Sequence, residues 1–264
     1  MEHKPEYLEP PLFEPAVYKP QTVRHYVGNP LIEALPSIQT LEECAEQLTY
    51  HAPYNEQDRL APSEERLHMI EMATTFYQPM DIQLDLAQRT SRMIRTGYLG
   101  KRNPMSLTFF RDLQTRIDSM DNRERHKYLL SFPHGFTIIG ISGIGKTSAV
   151  ARILSLYPQV ICHRSYAGKP FSRLQVVWLM LQCPHDGSTK ALCKQFFYEM
   201  DKILGTNYSG WYASARVSVD DLIRSMARVA ELHSLGVLVI DEIQLLSQAK
   251  SGGKERMLNF FLQL

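Results

Sequence analysis

Apolar and polar positions change their rhythm twice along this chain. The first 36 residues have no period, and they hold seven of the fifteen prolines. Such a stretch cannot stay helical for long. Tyr7, Leu8, Leu12, Phe13, Tyr18 and Tyr26 nonetheless recur among the prolines, whereas solvated linkers are poor in aromatics. The segment reads equally as a disordered tail and as an arm that docks on a partner or on the protein's own body. Helical spacing follows, predicting helices over residues 40–49, 63–75, 83–98, 106–118 and 122–130. The helix over 83–98 is the strongest. It carries Leu84, Leu86, Ala87, Met93 and Ile94 on an apolar stripe, with Arg89, Arg92 and Arg95 among its remaining positions.

From Gly135 onward, short apolar runs alternate with helical stretches, the signature of an α/β sheet. Residues 136–139 predict a buried strand and 146–157 a helix ended by Pro158. Residues 159–163 and 174–183 predict two strands whose link is long enough to close a hairpin. A helix over 188–204 is stopped by Gly205. Another over 218–233 has Ser218 as its cap and Asp220 and Asp221 in its first turn. Residues 237–240 form an apolar strand running into Asp241 and Glu242.

Composition changes this picture little. Hydrophobic residues make up 44% and charged residues 22%, with a formal net charge of +1, so bulk charge names no partner. Cys44, Cys162, Cys183 and Cys193 include no C-x-x-C pair and read as reduced thiols. Zinc ligation by Cys162 with His163, or by Cys183 with His185, is the lesser reading beside cysteines in apolar strands. No apolar stretch follows the Met-Glu-His-Lys-Pro start, and no run approaches the roughly 20 apolar residues of a spanning helix. A cytoplasmic protein with no membrane association is expected.

The candidate chemistry is concentrated at two places. Gly140, Ile141, Ser142, Gly143, Ile144, Gly145, Lys146 and Thr147 fill the pattern G-x-x-x-x-G-K-[ST]. The glycines permit backbone angles and a close approach that a Cβ forbids. Successive backbone N–H groups can then surround phosphate oxygens, and a helix start adds its positive end. Lys146 is assigned to the β- and γ-phosphates, Thr147 to Mg²⁺, and Ser148 completes the nucleotide-binding set. About 95 residues downstream, Asp241 at a strand tip suits a Mg²⁺-bound water. Glu242 suits orientation and deprotonation of an attacking water. Together they predict an ATP-binding, hydrolytic P-loop protein in which Lys146 and Glu242 are catalytic. No N-K-x-D sequence is present to read guanine.

The chain resembles the AAA+ target-selection regulators of Tn-seven-type bacterial transposons, the TnsC group, and more distantly TniB and IstB-like regulators. The matching stretches are Asn29-Pro-Leu-Ile-Glu-Ala-Leu-Pro36, Met93-Ile-Arg-Thr-Gly-Tyr-Leu-Gly100, Tyr157-Pro-Gln-Val-Ile161, Val237-Leu-Val-Ile-Asp-Glu-Ile-Gln244, Ser251-Gly-Gly253 and Met257-Leu-Asn-Phe-Phe261. The resemblance implies an AAA+ P-loop fold with a parallel-sheet core behind a mainly helical, proline-rich N-terminal region. It also implies ATP-bound oligomers on double-stranded DNA that link a target selector of the TnsD/TniQ type to the transposase. On this view residues 1–80 are a partner-docking arm, 81–134 a basic helical segment, and 135–264 an incomplete ATPase core. The chain stops 23 residues after Asp241, before the family's sensor strand, arginine finger and lid. Marginal stability and weak or absent hydrolysis are therefore expected.

Residues 86–127 hold ten Lys/Arg against four Asp/Glu, densest at Arg89, Arg92, Arg95, Lys101 and Arg102. A solvated helix face is the better reading there than a phosphate-binding surface. Lys169 and Arg173, expected in a turn after the second strand, and Lys250 and Lys254 are the other candidate DNA contacts. Helix-turn-helix and zinc-finger patterns are lacking, so any DNA contact is expected to be non-sequence-specific. Three functions remain in play: an ATP-dependent transposition regulator, a non-hydrolysing scaffold or remnant that docks partners, and a generic AAA+ loader. The last is disfavoured by the matches outside the nucleotide motifs.

Overall fold

The computed structural model describes residues 13–99, 135–214 and 216–247. In chain order the elements are β1 (Glu14–Pro15), α1 (Pro30–Glu33), α2 (Leu41–Leu48), α3 (Ser63–Ile70), α4 (Asp81–Leu99), α5 (Lys146–Leu154), β2 (Val160–Tyr166), β3 (Lys169–Val176), β4 (Trp178–Gln182), α6 (Thr189–Leu204), α7 (Tyr208–Tyr212), α8 (Val219–Leu232), β5 (Val237–Asp241) and α9 (Gln244–Ser247). Short 3₁₀ turns at Glu56–Leu60 and Glu71–Thr75 flank α3. The helices predicted over 106–118 and 122–130 lie outside the described residues. So do Lys101, Arg102, Lys250 and Lys254. Among the described residues no helix is long and apolar enough to cross a membrane.

The chain divides into two compact units, one built from Met1–Leu35, Ile94–His134 and Pro158–Leu264, the other from Pro36–Met93 and Gly135–Tyr157. In the first unit, β4 and β5 pair in parallel, with Trp178 opposite Val237 and Gln182 opposite Asp241. A parallel pair needs a crossover, and α6, α7 and α8 supply it. Ser188 caps α6 through the Ala191 amide, and Gly205 ends it in the left-handed conformation. The Ser218 side chain accepts from the Asp221 amide at the start of α8. Leu179 and Leu181 from β4 meet Phe196, Phe197 and Met200 from α6 and Leu222 and Met226 from α8 in the main core.

Three sequence expectations change in this unit. The single strand expected over 174–183 is two. Lys169–Val176 pairs antiparallel with β2, whereas Trp178–Gln182 pairs with β5. Periodicity cannot reveal a change of partner at one residue, Val177, inside an unbroken apolar run. The hairpin turn is also shorter, at Ala167 and Gly168, both at positive φ. Lys169 and Arg173 therefore lie in β3 rather than in a turn. Finally, Arg95 is buried at 2% exposure rather than on a polar helix face. The last turns of α4 are enclosed, with Ile94 and Tyr98 at 0%. Gly236 permits that closeness, because a Cβ there would collide with Tyr98 Oη and the Val177 carbonyl.

The described part of the proline-rich arm docks on the protein's own body. Glu14 and Pro15 pair in parallel with Ile161 and Cys162, and the Ala16 amide donates to the Cys162 carbonyl at 2.9 Å. Phe13 packs against the main core. Tyr18 Oη shares a 2.8 Å hydrogen bond with His163 Nδ1, and His163 Nε2 shares one of 2.7 Å with Gln175 Oε1. Both ring nitrogens of His163 are thus engaged. Among the described residues no group of three or more His, Cys, Asp or Glu is placed to hold a metal, and all four cysteines are free thiols.

In the second unit, α2 begins with a capping box. Glu43 N donates to Thr40 Oγ1, and Thr40 N to Glu43 Oε2. Its Cys44 and Leu48 pack with Ala87 of α4 and Ile153 of α5. Tyr50 and Tyr77 exchange backbone hydrogen bonds of 2.8 and 2.9 Å.

Candidate functional site

The loop before α5 has the backbone that a phosphate cradle requires. Gly143 and Gly145 sit at φ +81° and +86°, a region that costs a residue with a Cβ about 1–2 kcal/mol. Neither glycine is crowded, so conformation rather than space calls for glycine there. At Gly140 a Cβ would lie a tight 3.3 Å from Ile144 Cγ2, the tip of an exposed side chain. Gly145 is the N-cap of α5. It provides no side-chain cap, and the first helical turn holds no acid. An anion complements the positive end of a helix that starts without an acidic residue.

Lys146 opens α5. Its Nζ donates to the Gly140 and Ile141 carbonyls, both at 2.9 Å. The ammonium therefore lies over the mouth of the loop. Thr147 and Ser148 follow in the first turn, both exposed. The helix is fixed from behind. Ala149, Ile153 and Leu154 are buried, and the Arg152 guanidinium lies 4.3 Å from the Tyr77 ring centroid. Arg152 Nη2 also donates to the Thr75 carbonyl at 3.4 Å. Neither Arg152 nor Tyr77 was singled out from sequence. Their only signal is a cation near the end of a predicted helix and an aromatic in a distant segment.

The strand expected before the loop is not formed. Residues 136–139 belong to no strand among the described residues, and Ile139 is 91% exposed. An apolar run becomes a strand only when a neighbour pairs its backbone groups, and no described strand pairs with this one.

The acidic pair stands at the end of β5. Asp241 is held by the ladder, with its carbonyl accepting from the Cys183 amide at 2.9 Å. Its Oδ1 accepts from the Glu242 amide at 2.9 Å. Glu242 turns the chain at φ +54°, an uncommon conformation for a residue with a Cβ and one frequent at functional sites. Its side chain is exposed, and Gln244 Nε2 donates to Glu242 Oε2. Gln244 is a neighbour that the sequence reading missed.

Of the two described DNA candidates, Lys169 is exposed and Arg173 half-buried. Arg173 Nη1 donates to Ser234 Oγ at 2.6 Å, and burial pushes the pKa of the guanidinium down.

The loop residues fit a nucleotide's phosphates by φ, by the helix start behind the loop and by a cation. Thr147 in the second unit and Asp241 in the first are each oxygen donors of the kind a hard divalent ion takes. Mixed helices, a sheet with parallel pairing and this loop define an α/β P-loop nucleotide-binding protein. Residues 134–264 match the family model described as an AAA domain, a family whose members are generally ATPases. No curated protein matches the chain significantly.

Proposed function

We infer that this protein is an ATP-dependent regulator of DNA transposition that binds ATP with Mg²⁺ at residues 140–148, assembles on double-stranded DNA, and links a target-selection protein to a transposase. The nucleotide part of this reading is carried by one observation. Gly143 and Gly145 hold the loop at positive φ in front of the start of α5, whose first turn holds no acid, and Lys146 Nζ donates to two loop carbonyls. In this reading Lys146 contacts the β- and γ-phosphates and Thr147 the metal, the roles that the G-x-x-x-x-G-K-[ST] pattern assigns them, and the strand-end motif assigns Asp241 to a metal-bound water. Bound Mg²⁺ supplies charge neutralisation at the phosphate oxygens. The Glu242 carboxylate takes a proton from water. The transposition part rests on the resemblance across residues 29–36, 93–100, 157–161 and 237–244, which lies mostly outside the nucleotide motifs.

Titration with a fluorescent ATP analogue and Mg²⁺ tests the first part. Lys146→Ala is expected to weaken binding at least tenfold, about 1.4 kcal/mol. Equal affinity of the variant would remove the loop assignment. The second part is tested by co-sedimentation with duplex DNA of arbitrary sequence, with and without ATP. ATP-dependent, salt-sensitive association is expected. DNA association indifferent to ATP would end the transposition reading and leave nucleotide binding standing.

A second reading, a nucleotide-binding scaffold that does not turn over, is favoured by the engagement of Glu242 Oε2 with Gln244. Phosphate release in Gln244→Ala separates the two. A rise above wild type shows a restrained base, and no release from either protein supports the scaffold.

A further inference from the structure

The segment around α3 has an unusual balance of exposed and buried side chains. No residue between 51 and 78 is buried. Within it Leu60 is 87% exposed, Leu67 64%, Ile70 64% and Phe76 54%, with Met69 and Met72 also in solvent. Scattered exposed apolar residues are ordinary, whereas a concentration of them marks an interaction site. Leu67 and Ile70 are one turn apart on α3 and share a face. An eight-residue helix with no buried side chain gains nothing from packing and is short for independent stability.

Charge says what covers it. Glu56, Asp58, Glu64, Glu65 and Glu71 accompany these apolar positions, against Arg59 and Arg66. An apolar face of Leu, Ile and adaptable Met side chains with acids around it complements a helix with one apolar and one basic face. We propose that residues 60–76 form a docking surface for a cationic amphipathic helix of another protein, with Leu67 and Ile70 as anchors and Glu64, Glu65 and Glu71 as the charge selector. This surface belongs to the second unit alone and does not depend on the nucleotide reading.

The test uses the full chain and a labelled synthetic 18-residue peptide with leucine on one helical face and lysine on the other, followed by fluorescence anisotropy. Binding in the micromolar range is expected. The Leu67→Ser/Ile70→Ser variant should weaken it at least tenfold. Both side chains are exposed, so circular dichroism should match wild type. Glu64→Gln/Glu65→Gln/Glu71→Gln should weaken binding severalfold and flatten its salt dependence. A leucine/glutamate peptide should not bind. The proposal is overturned if the serine variant binds the cationic peptide as wild type does, or if the acidic peptide binds equally. It is also overturned if sedimentation shows self-association that the serine variant abolishes, which would make a second copy the occupant. Flotation with zwitterionic vesicles lost in that variant would likewise overturn it in favour of a lipid surface.

Discussion

The phosphate loop and the acidic strand end carry one chemical signature but are built in different ways. Asp241 is fixed from a distance. β5 pairs along its length with β4 and backs onto a core of α6 and α8 side chains. The loop is fixed locally, by two glycine conformations, by the Lys146 ammonium on two loop carbonyls, and by α5 resting on α2 and α4. The apolar run ahead of it is exposed. Local geometry can therefore form a cradle without a paired strand in front of it, whereas a carboxylate at a strand tip is only as well placed as its sheet.

The largest effect expected from that difference is at Phe197. It is fully buried on α6, meeting Phe196 edge-on at 5.5 Å and Tyr212 at 5.4 Å between ring centroids. Phe197→Ala should cost about 3–5 kcal/mol in urea unfolding. A loss below about 1 kcal/mol would mean that the strand carrying Asp241 does not rely on this core. Next is Gly143→Ala, which leaves every buried contact in place and forces a Cβ to φ +81°. The exposed loop of the variant relaxes away from that angle when empty, and ATP binding must restore about 1–2 kcal/mol of strain, read as a five- to thirtyfold loss of ATP-analogue affinity with little change in thermal unfolding. Unchanged affinity would detach the loop's conformation from its function.

Legibility in the sequence divides along the same line. Features set by neighbouring residues were readable. Ser188 and Gly205 mark the two ends of α6, Ser218 starts α8, and the loop announces itself by its glycines. Features set by distant partners were not. Nothing near Val177 signals that one apolar run exchanges β2 for β5 as its partner. The burial of Arg95 is decided by what surrounds the last turns of α4, not by its position on a helical wheel. Residues 136–139 show the converse, a strand pattern without a strand, because no described strand pairs with them. The docked arm falls between the two cases. Its aromatics hinted at a surface, but it takes contacts such as the Tyr18–His163 bond and the Glu14–Ile161 register to show which one.

A pH dependence follows from two histidines of the first unit. His163 and His233 both have pKa values lowered from 6.5, chiefly by burial. The folded state therefore binds fewer protons than the unfolded chain just below pH 6.5. Stability should be full above about pH 6.5 and fall as the pH drops toward the folded-state values. The slope is at most about 1.4 kcal/mol per pH unit for each histidine. Urea midpoints between pH 7.5 and 5.5 measure this, and His163→Asn should flatten the slope. A flat profile in wild type would show that neither ring is desolvated.

The smallest effect belongs to the second unit and tests whether the loop's support is local. Thr40 caps α2 through Glu43 N at 3.2 Å, while its own amide donates to Glu43 Oε2 at 2.8 Å. Thr40→Ala removes the side-chain half of that box and should cost about 1 kcal/mol, and Thr40→Ser should restore most of it. Since α2 contributes Cys44 and Leu48 to the cluster that holds Ile153 of α5, loosening its first turn should reach the phosphate helix only weakly, about twofold or less in ATP-analogue affinity. A loss as large as that of Gly143→Ala would show that the cradle depends on the helices behind it as much as on its glycines, and the contrast with the acidic strand end would narrow accordingly.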